Sequence, residues 1–460
     1  MQRSLPRKAI WIAAFFFCIN APSCLGQVND QATEKTKNLY SNLKRIQSSN
    51  AFMFGQEFFN SFRFSSGSVQ SDETYSDSKA VTGSHPAVLG SDFHYYLEKS
   101  ESEATSHLEG VKYAYAQGYV ITFDWHLSAR GTTSYQYAES VKDLVNNIVG
   151  DIGDDRDWYL GELDKAIDII NNDLVVDGEK IPIVFRPLHE MNGGWFWWGS
   201  AATTPANYKA LYQLTVDYFK ANTTNVLFCW SPNTPFSATY YPGDDYVDVV
   251  GVDAYEVTQA SLRTELGAVV DFATQHEKVP VFTETGNRTD VGDDAAVYWN
   301  NIVLPGILDD PSDKSKRIAW VLTWINASWS KPYVPQVTSS NLAKESFIAF
   351  KNSPNVLFGD EISGMYEPYV PLGEQGALAQ ADDLQVYPVP ANKFLTVKLH
   401  GFALPARIGI YDATGALVSE TFVRNSETTV DLKDALPASG MYLLRATDNR
   451  KTLSRKIVVN

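Results

Sequence analysis

Between residues 50 and 352, short runs of β-branched, aromatic and small apolar residues alternate with longer segments whose apolar positions recur every three or four residues. This is the alternation of repeated strand–helix units around a parallel sheet. Eight runs read as strands: Ala51 to Gln56, Ala87 to Asp92, Tyr119 to His126, Ile181 to Glu190, Asn225 to Asn233, Val247 to Tyr255, Val279 to Gly286 and Ala319 to Asn326. Between them, Thr204-Pro205 supplies an N-cap and first-turn proline for a helix with Tyr208, Leu211, Tyr212 and Thr215 on one face. Leu163, Ile167 and Ile170 repeat that spacing. Eight strands in about 300 residues predict an α/β fold of the (β/α)8 TIM barrel type. No phosphate-cradling glycine loop follows a strand, as a doubly wound dinucleotide fold requires.

The pattern changes at both ends. Arg3, Arg7 and Lys8 precede the apolar run Ala9 to Ile19 and then small residues, so residues 1–26 read as a removable secretory signal. The run is too short to span a bilayer. Residues 27–368 form the barrel, and 369–382 read as a polar linker bearing proline and glycine. Residues 383–460 alternate with period two over Leu384 to Tyr387, Phe394 to Leu399, Arg407 to Tyr411, Thr428 to Leu432, Met441 to Ala446 and Ser454 to Val459. That pattern predicts a small all-β, sandwich-like C-terminal domain whose aromatics point into the strand core.

Composition narrows the function. The 460 residues are 44% hydrophobic with a formal charge of −16, which excludes disorder and argues against nucleic-acid backbones or anionic lipid as partners. Loss of residues 1–26 removes three cations and no anions, taking the charge to −19, and discards Cys18 and Cys24. Cys229 then stands alone and reads as a small buried hydrophobe, so the exported domain has no internal disulfide. Ala21-Pro22-Ser23 ahead of Cys24 lacks the aliphatic–small–small pattern of a lipoprotein signal. A monomer is the expectation at this charge.

In a barrel of this kind, chemistry sits at the carboxyl ends of the strands. Here the runs finish in Gln56-Glu57, Asp92, Asp124-Trp125-His126, His189-Glu190, Trp230-Ser231, Asp253-Ala254-Tyr255, Glu284 and Trp324-Ile325-Asn326, side chains that a core strand does not need. An isolated Asp92 reads as a structural partner. Glu190, in RPLHEMNGGWFWWG, and Glu284, in VPVFTETG, are the carboxylate pair that glycosidic cleavage requires. Trp195, Phe196, Trp197 and Trp198 follow Glu190 and would shield it, keeping it protonated as the acid. Glu284, between Thr283 and Thr285, suits the ionised nucleophile. No cofactor or metal is expected: position 193 is Gly where a zinc-protease helix carries its second histidine, and no Gly-x-Ser-x-Gly elbow occurs. The acidic run Asp151 to Asp157 reads as a solvated face rather than a calcium loop.

From FGQ at Gly55 to VLTWIN at Asn326, the sequence resembles glycoside hydrolase family 26, best known for endo-β-1,4-mannanases, most specifically through RPLHEMNGGWFWWG. The resemblance implies a retaining mechanism with Glu190 as acid/base and Glu284 as nucleophile, their carboxyls about 5 to 5.5 Å apart. It further implies that His189 contacts sugar and nucleophile, that His126 meets the sugar at the cleavage site and that Tyr255 hydrogen-bonds the nucleophile. Trp195 is implied as a stacking platform beside the acid, and Trp324 as the floor beneath the distorted sugar. The implied substrate is mannan, glucomannan or galactomannan. One departure is the segment LSARGTTSYQY after His126, a long insertion expected to run unbroken to a helix near Arg156. Such a loop shapes the cleft and bears on endo or exo action. Mixed-linkage β-glucan or β-1,3-xylan are the alternative substrates, and a non-catalytic surface glycan-binding protein is the alternative class. The phrases VYPVPANKFLTVKL, IGIYDATGALV, LPASGMYLLR and KIVVN resemble the C-terminal sorting domain of the type IX secretion system. That resemblance implies export machinery as a partner and a secreted or surface-attached product.

Overall fold

The computed structural model describes residues 27–368 except 67, 288–296 and 331, and residues 384–459 except 403, 413–416, 433–438 and 449–451. The proposed signal and linker therefore lie outside the described residues. Two compact units divide between Pro368 and Tyr369.

In the first unit, all eight runs carry strand. The strands are β1 (Phe52–Glu57), β2 (Val88–Asp92), β3 (Val120–Asp124), β4 (Ile183–Arg186), β5 (Val226–Trp230), β6 (Val249–Val250), β7 (Val279–Pro280), β8 (Phe282–Thr285) and β9 (Trp320–Thr323). All pair in parallel, in the order β8–β9–β1–β2–β3–β4–β5–β6–β7. Because β7 and β8 are halves of one stave, separated only by Val281, the eight staves close into a ring. A further short strand, β10 (Val356–Leu357), pairs beside the start of β1.

Staves buried on both faces need no polar alternation, and β1 to β9 are buried at every position. Outward-facing rings lock the helices on: Phe54 of β1 meets Trp299 at 4.9 Å and Phe347 at 5.6 Å between ring centroids. The helix Pro205–Asn222 begins as its sequence predicts, the Thr204 hydroxyl accepting from the Asn207 amide and Tyr208, Leu211, Tyr212 and Thr215 buried. At the amino-terminal end of the barrel, the buried Asp248 carboxylate accepts from the amides of Val28 (2.7 Å) and Phe228 (2.8 Å).

The segment after His126 departs from expectation. A 3-10 turn at Glu139–Val141 and a helix at Leu144–Gly150 interrupt it before the helix Asp155–Asp168. Leu144, Val145 and Ile148 give that short helix a buried face, a periodicity too brief to read without its packing partners. The acidic run is pinned by cations: Arg130 bonds Asp155 at 2.6 Å and Arg156 pairs with Asp151 at 3.4 Å.

The second unit is a two-sheet sandwich. Strands β11 (Leu384–Tyr387), β12 (Phe394–Leu399) and β15 (Glu427–Asp431) form one antiparallel sheet; β14 (Leu417–Val423), β13 (Ala406–Tyr411), β16 (Gly440–Thr447) and β17 (Thr452–Val459) form the other. Leu395 and Val397 from one sheet share a core with Ile408, Ile410, Leu444 and Ile457 from the other. Strand β14 was not predicted, because only Val423 of its seven residues is buried and the apolar period is lost. The aromatics also correct the prediction: Phe402 and Tyr442 are buried, whereas Tyr387, Phe394 and Phe422 are exposed.

Candidate active site

At the carboxyl ends of the staves, a cleft of about 550 Å³ is lined by His126, Tyr135, Gln136, Glu190, Trp195 and Tyr255, among others. Of the seven predicted site residues, His126, Glu190, Trp195 and Tyr255 line this cleft directly, while Glu284, His189 and Trp324 contact those that do.

The acid candidate sits on a sharply turned segment. Leu188 and Glu190 both take left-handed backbone angles, φ 54° and 53°, a conformation that costs a side-chain-bearing residue about 1–3 kcal/mol and persists only where neighbours impose it. Three hydrogen bonds do so. The Tyr208 hydroxyl donates to the Leu188 carbonyl at 2.9 Å, the Trp198 indole to the His189 carbonyl at 2.8 Å, and the Glu190 amide to the Ser231 carbonyl at 3.0 Å. The ring-rich stretch after Glu190 therefore divides in role. Trp197 and Trp198 are fully buried, Trp197 donating to the Leu127 carbonyl, and Phe196 stacks on Trp198 at 4.5 Å. Trp195 alone reaches the carboxylate, its indole donating to Glu190 Oε2 at 2.8 Å. Burial and the negative charge of Glu284 push the Glu190 carboxyl up to about 7, against the opposing pull of the Trp195 hydrogen bond.

Glu284 lies one residue before the end of β8, where the register against β9 shifts between Phe282 and Thr285. Its donors are not the flanking threonines; the Thr285 hydroxyl pairs with Tyr298 at 2.8 Å. Arg186 bonds Glu284 Oε1, and the Tyr255 hydroxyl donates to Oε2 at 2.7 Å. Arg186 also donates to Asp253 Oδ2 at 2.7 Å and Asp124 Oδ2 at 2.9 Å. One buried guanidinium thus joins the ends of four staves, fixing the Glu284 carboxylate and compensating charge that the interior could not otherwise hold. Asp124 and Asp253 remain pushed well above the usual carboxylate range, chiefly by burial.

Asp92 is the structural partner its isolation suggests: it accepts from His126 Nδ1 at 2.8 Å and from the His126 amide at 3.1 Å. Orienting the imidazole this way sets its edge against His189, 4.7 Å between centroids, and Trp324, 5.7 Å. His189 is 1% exposed, and burial beside Arg186 holds it well below the usual imidazole range, hence neutral. Asp124, His126 and His189 each bring one metal-ligand-type atom within 4.8 Å of the others. Arg186 bonds Asp124 Oδ2 and Asp92 bonds His126 Nδ1; the charge of the adjacent guanidinium disfavours a second cation there. Trp230 and Asn326, two of the strand-end residues, do not join the cleft: Trp230 packs outward against Tyr241 at 5.2 Å, and Asn326 bonds Asp77 and Val334.

Arg186, Tyr135 and Gln136 escaped the sequence reading as site residues, as did Thr234 and Glu256 of the cleft lining. Arg186 was legible as a charge inside the apolar run IVFR, where only a buried partner makes it tolerable. Tyr135 and Gln136 lie in the LSARGTTSYQY segment expected to shape the cleft, but nothing singled them out within it; they join the cleft because the post-β3 loop pairs with the acid loop, the Tyr137 amide donating to the Trp195 carbonyl at 2.7 Å and the Trp197 amide to the Tyr135 carbonyl at 3.2 Å.

A parallel barrel that sets one shielded, high-pKa carboxyl beside a second carboxylate held by guanidinium and phenol has the site of a glycosidase. The comparisons with known proteins agree: residues 28–303 match the model of glycosyl hydrolase family 26, and the chain belongs to that family. Residues 385–460 match the secretion system C-terminal sorting domain, which points to export through the type IX system and a secreted or cell-surface location. A mannan endo-1,4-beta-mannosidase of Bifidobacterium adolescentis is 29% identical over 64% of this chain; the match spans 31% of that relative's length. Among solved structures, a Cellulomonas fimi endo-beta-1,4-mannanase double mutant is 28% identical with TM-score 0.67, covering 95% of this chain and 99% of that one. A GH26 beta-mannanase from Bacteroides ovatus is 27% identical with TM-score 0.64, covering 73% of this chain and 98% of that one.

Proposed function

We propose that the protein is an exported retaining β-mannanase, cleaving β-1,4-mannosidic bonds in mannan, glucomannan or galactomannan. The observation that carries the mechanism is the contrast between Glu190, raised to about 7 by burial and by Glu284, and Glu284, tied to Arg186 and Tyr255. In the first step Glu284 attacks the anomeric carbon while Glu190 protonates the departing glycosidic oxygen. In the second, Glu190, now ionised, takes a proton from water, whose oxygen attacks the same carbon and releases Glu284. His126, His189, Trp195 and Trp324 bind sugar, and Tyr255 steadies the nucleophile. The names of the relatives support the mannan assignment. Residues 1–26 serve as the export signal and 369–382 as the linker to the sorting domain; the mature chain is a monomer.

The test is reducing-end release by the purified protein on galactomannan, glucomannan, mixed-linkage β-glucan and β-1,3-xylan side by side, with proton NMR of the first product. Cleavage of the mannans with retained anomeric configuration is expected. Cleavage confined to the glucan or xylan overturns the substrate, and an inverted first product overturns the double displacement.

A further inference from the structure

Resting on that reading, we propose that Trp329 is a sugar-stacking platform on the rim of the cleft opposite the catalytic acid, taking a pyranose ring of the same chain on its glycone side.

Among the described tryptophans, Trp195 and Trp329 alone are strongly exposed, 38% and 52%. Both stand on loops at the carboxyl ends of staves. The ring order places them across the mouth from each other. From β9 to β4 the path is β1, β2, β3 in one direction and the β7–β8 stave, β6, β5 in the other. Trp195 lies beside the acid, where the leaving group departs. The opposite rim is therefore the side on which the glycosyl unit and the sugars before it lie.

Trp329 is exposed yet held in place. Its ring stands perpendicular to Phe62, 5.7 Å between centroids at 89°, and Phe62 is buried. Its flanking backbone is tied on both sides, the Ser328 amide to the Ser66 carbonyl at 3.1 Å and the Ser330 amide to the Ala327 carbonyl at 2.9 Å. Ala327 and Ile325 belong to a small apolar cluster with Phe58 and Phe62 from the loop after β1. The bonded loop also supplies polar groups: the Ser66 and Ser68 hydroxyls lie 3.2 Å apart, and the Gln70 carboxamide donates to Ser66 at 2.7 Å. An aromatic ring fixed beside hydroxyl and amide groups matches a pyranose, which offers C–H faces for stacking and hydroxyls at its edge. Trp324, on the same loop, connects this surface to His126 and so to the reacting sugar.

The experiment compares full-length wild type, Trp329→Ala and Trp329→Tyr on β-1,4-mannotetraose and mannohexaose, measuring kcat/KM and which bond is cut. For Trp329→Ala, the loss on the hexaose should be about three- to tenfold greater than on the tetraose. Its cleavage should also shift toward bonds that leave fewer sugars on the glycone side, and Trp329→Tyr should recover most of both effects. Equal loss at both lengths with an unchanged cleavage pattern, or no loss, overturns the platform. Absence of turnover by the wild type on either oligosaccharide overturns the mannan reading itself and, with it, the occupant assigned here.

Discussion

The ends of the fourth and seventh staves hold the same functional group in opposite settings. At the fourth, Glu190 sits on left-handed backbone, walled by rings, with an indole N–H as its hydrogen-bond donor. At the seventh, Glu284 sits on strand backbone where the pairing register shifts, gripped by a guanidinium and a phenol. Burial and the nearby Glu284 charge favour the proton on Glu190, whereas Glu284 is held between a cation and a hydroxyl. The backbone accords with the roles proposed above: Glu190 stands on the left-handed turn at Leu188–Glu190, with the Trp195 indole as its donor, while Glu284, on extended backbone, is bonded directly by Arg186.

That contrast is broken most severely at the carboxyls themselves. Glu284→Ala should lower kcat on mannan by about 10⁴-fold or more, and Glu190→Ala by about 10²- to 10⁴-fold. The two variants separate on an aryl mannoside with a good leaving group. Glu190→Ala should keep its glycosylation step and yield a glycosyl azide when azide is added, whereas Glu284→Ala should not; the reverse pattern would exchange the roles. Next in size, Arg186→Met should cost about 3–5 kcal/mol of stability in urea unfolding, because Asp124, Asp253 and Glu284 lose their shared counter-charge. A loss below about 1 kcal/mol would show that those carboxyls are protonated in the native protein.

A finer adjustment comes from pH. Glu190 must carry its proton to assist departure, so kcat/KM should fall as pH rises through about 7. The Trp195 hydrogen bond favours the ionised form; Trp195→Phe should therefore move this alkaline limb upward, by up to about one pH unit. A limb that stays fixed or moves down would remove Trp195 from the control of the acid. The smallest effect belongs to the loop after β3: Gln136→Ala should raise KM about threefold with kcat nearly unchanged, the loss of one sugar hydrogen bond. A change in kcat alone would place Gln136 in positioning the acid loop.

Sequence period revealed the barrel because every stave is buried on both faces and so stands out as an unbroken apolar run. Its polar endings revealed the cleft for the same reason. Tyr135 and Gln136 were legible only as part of the loop after His126, not as individual residues, since they enter the cleft through backbone pairing with residues 195–197 and no local period records such a partner. Strand β14 escaped because its side chains face water; the exposed rings Tyr387 and Phe394 are out of phase with buried Leu384 and with buried Leu395, Val397 and Leu399, so strict alternation sends them outward, and the inward expectation followed their apolar character instead. The helix Leu144–Gly150 was hidden by its brevity.

The division of labour within WFWW has a consequence for anyone reshaping this cleft. A library randomised across residues 195–198 mixes two kinds of position. Screens for soluble expression will report on Trp197 and Trp198, whose indoles anchor the Leu127 and His189 carbonyls, and will pass almost anything at Trp195. Screens for turnover alone will discard variants lost to misfolding along with those whose acid is mistuned. Holding Trp197 and Trp198 constant and varying Trp195 with Tyr135 and Gln136 confines the search to side chains that line the cleft.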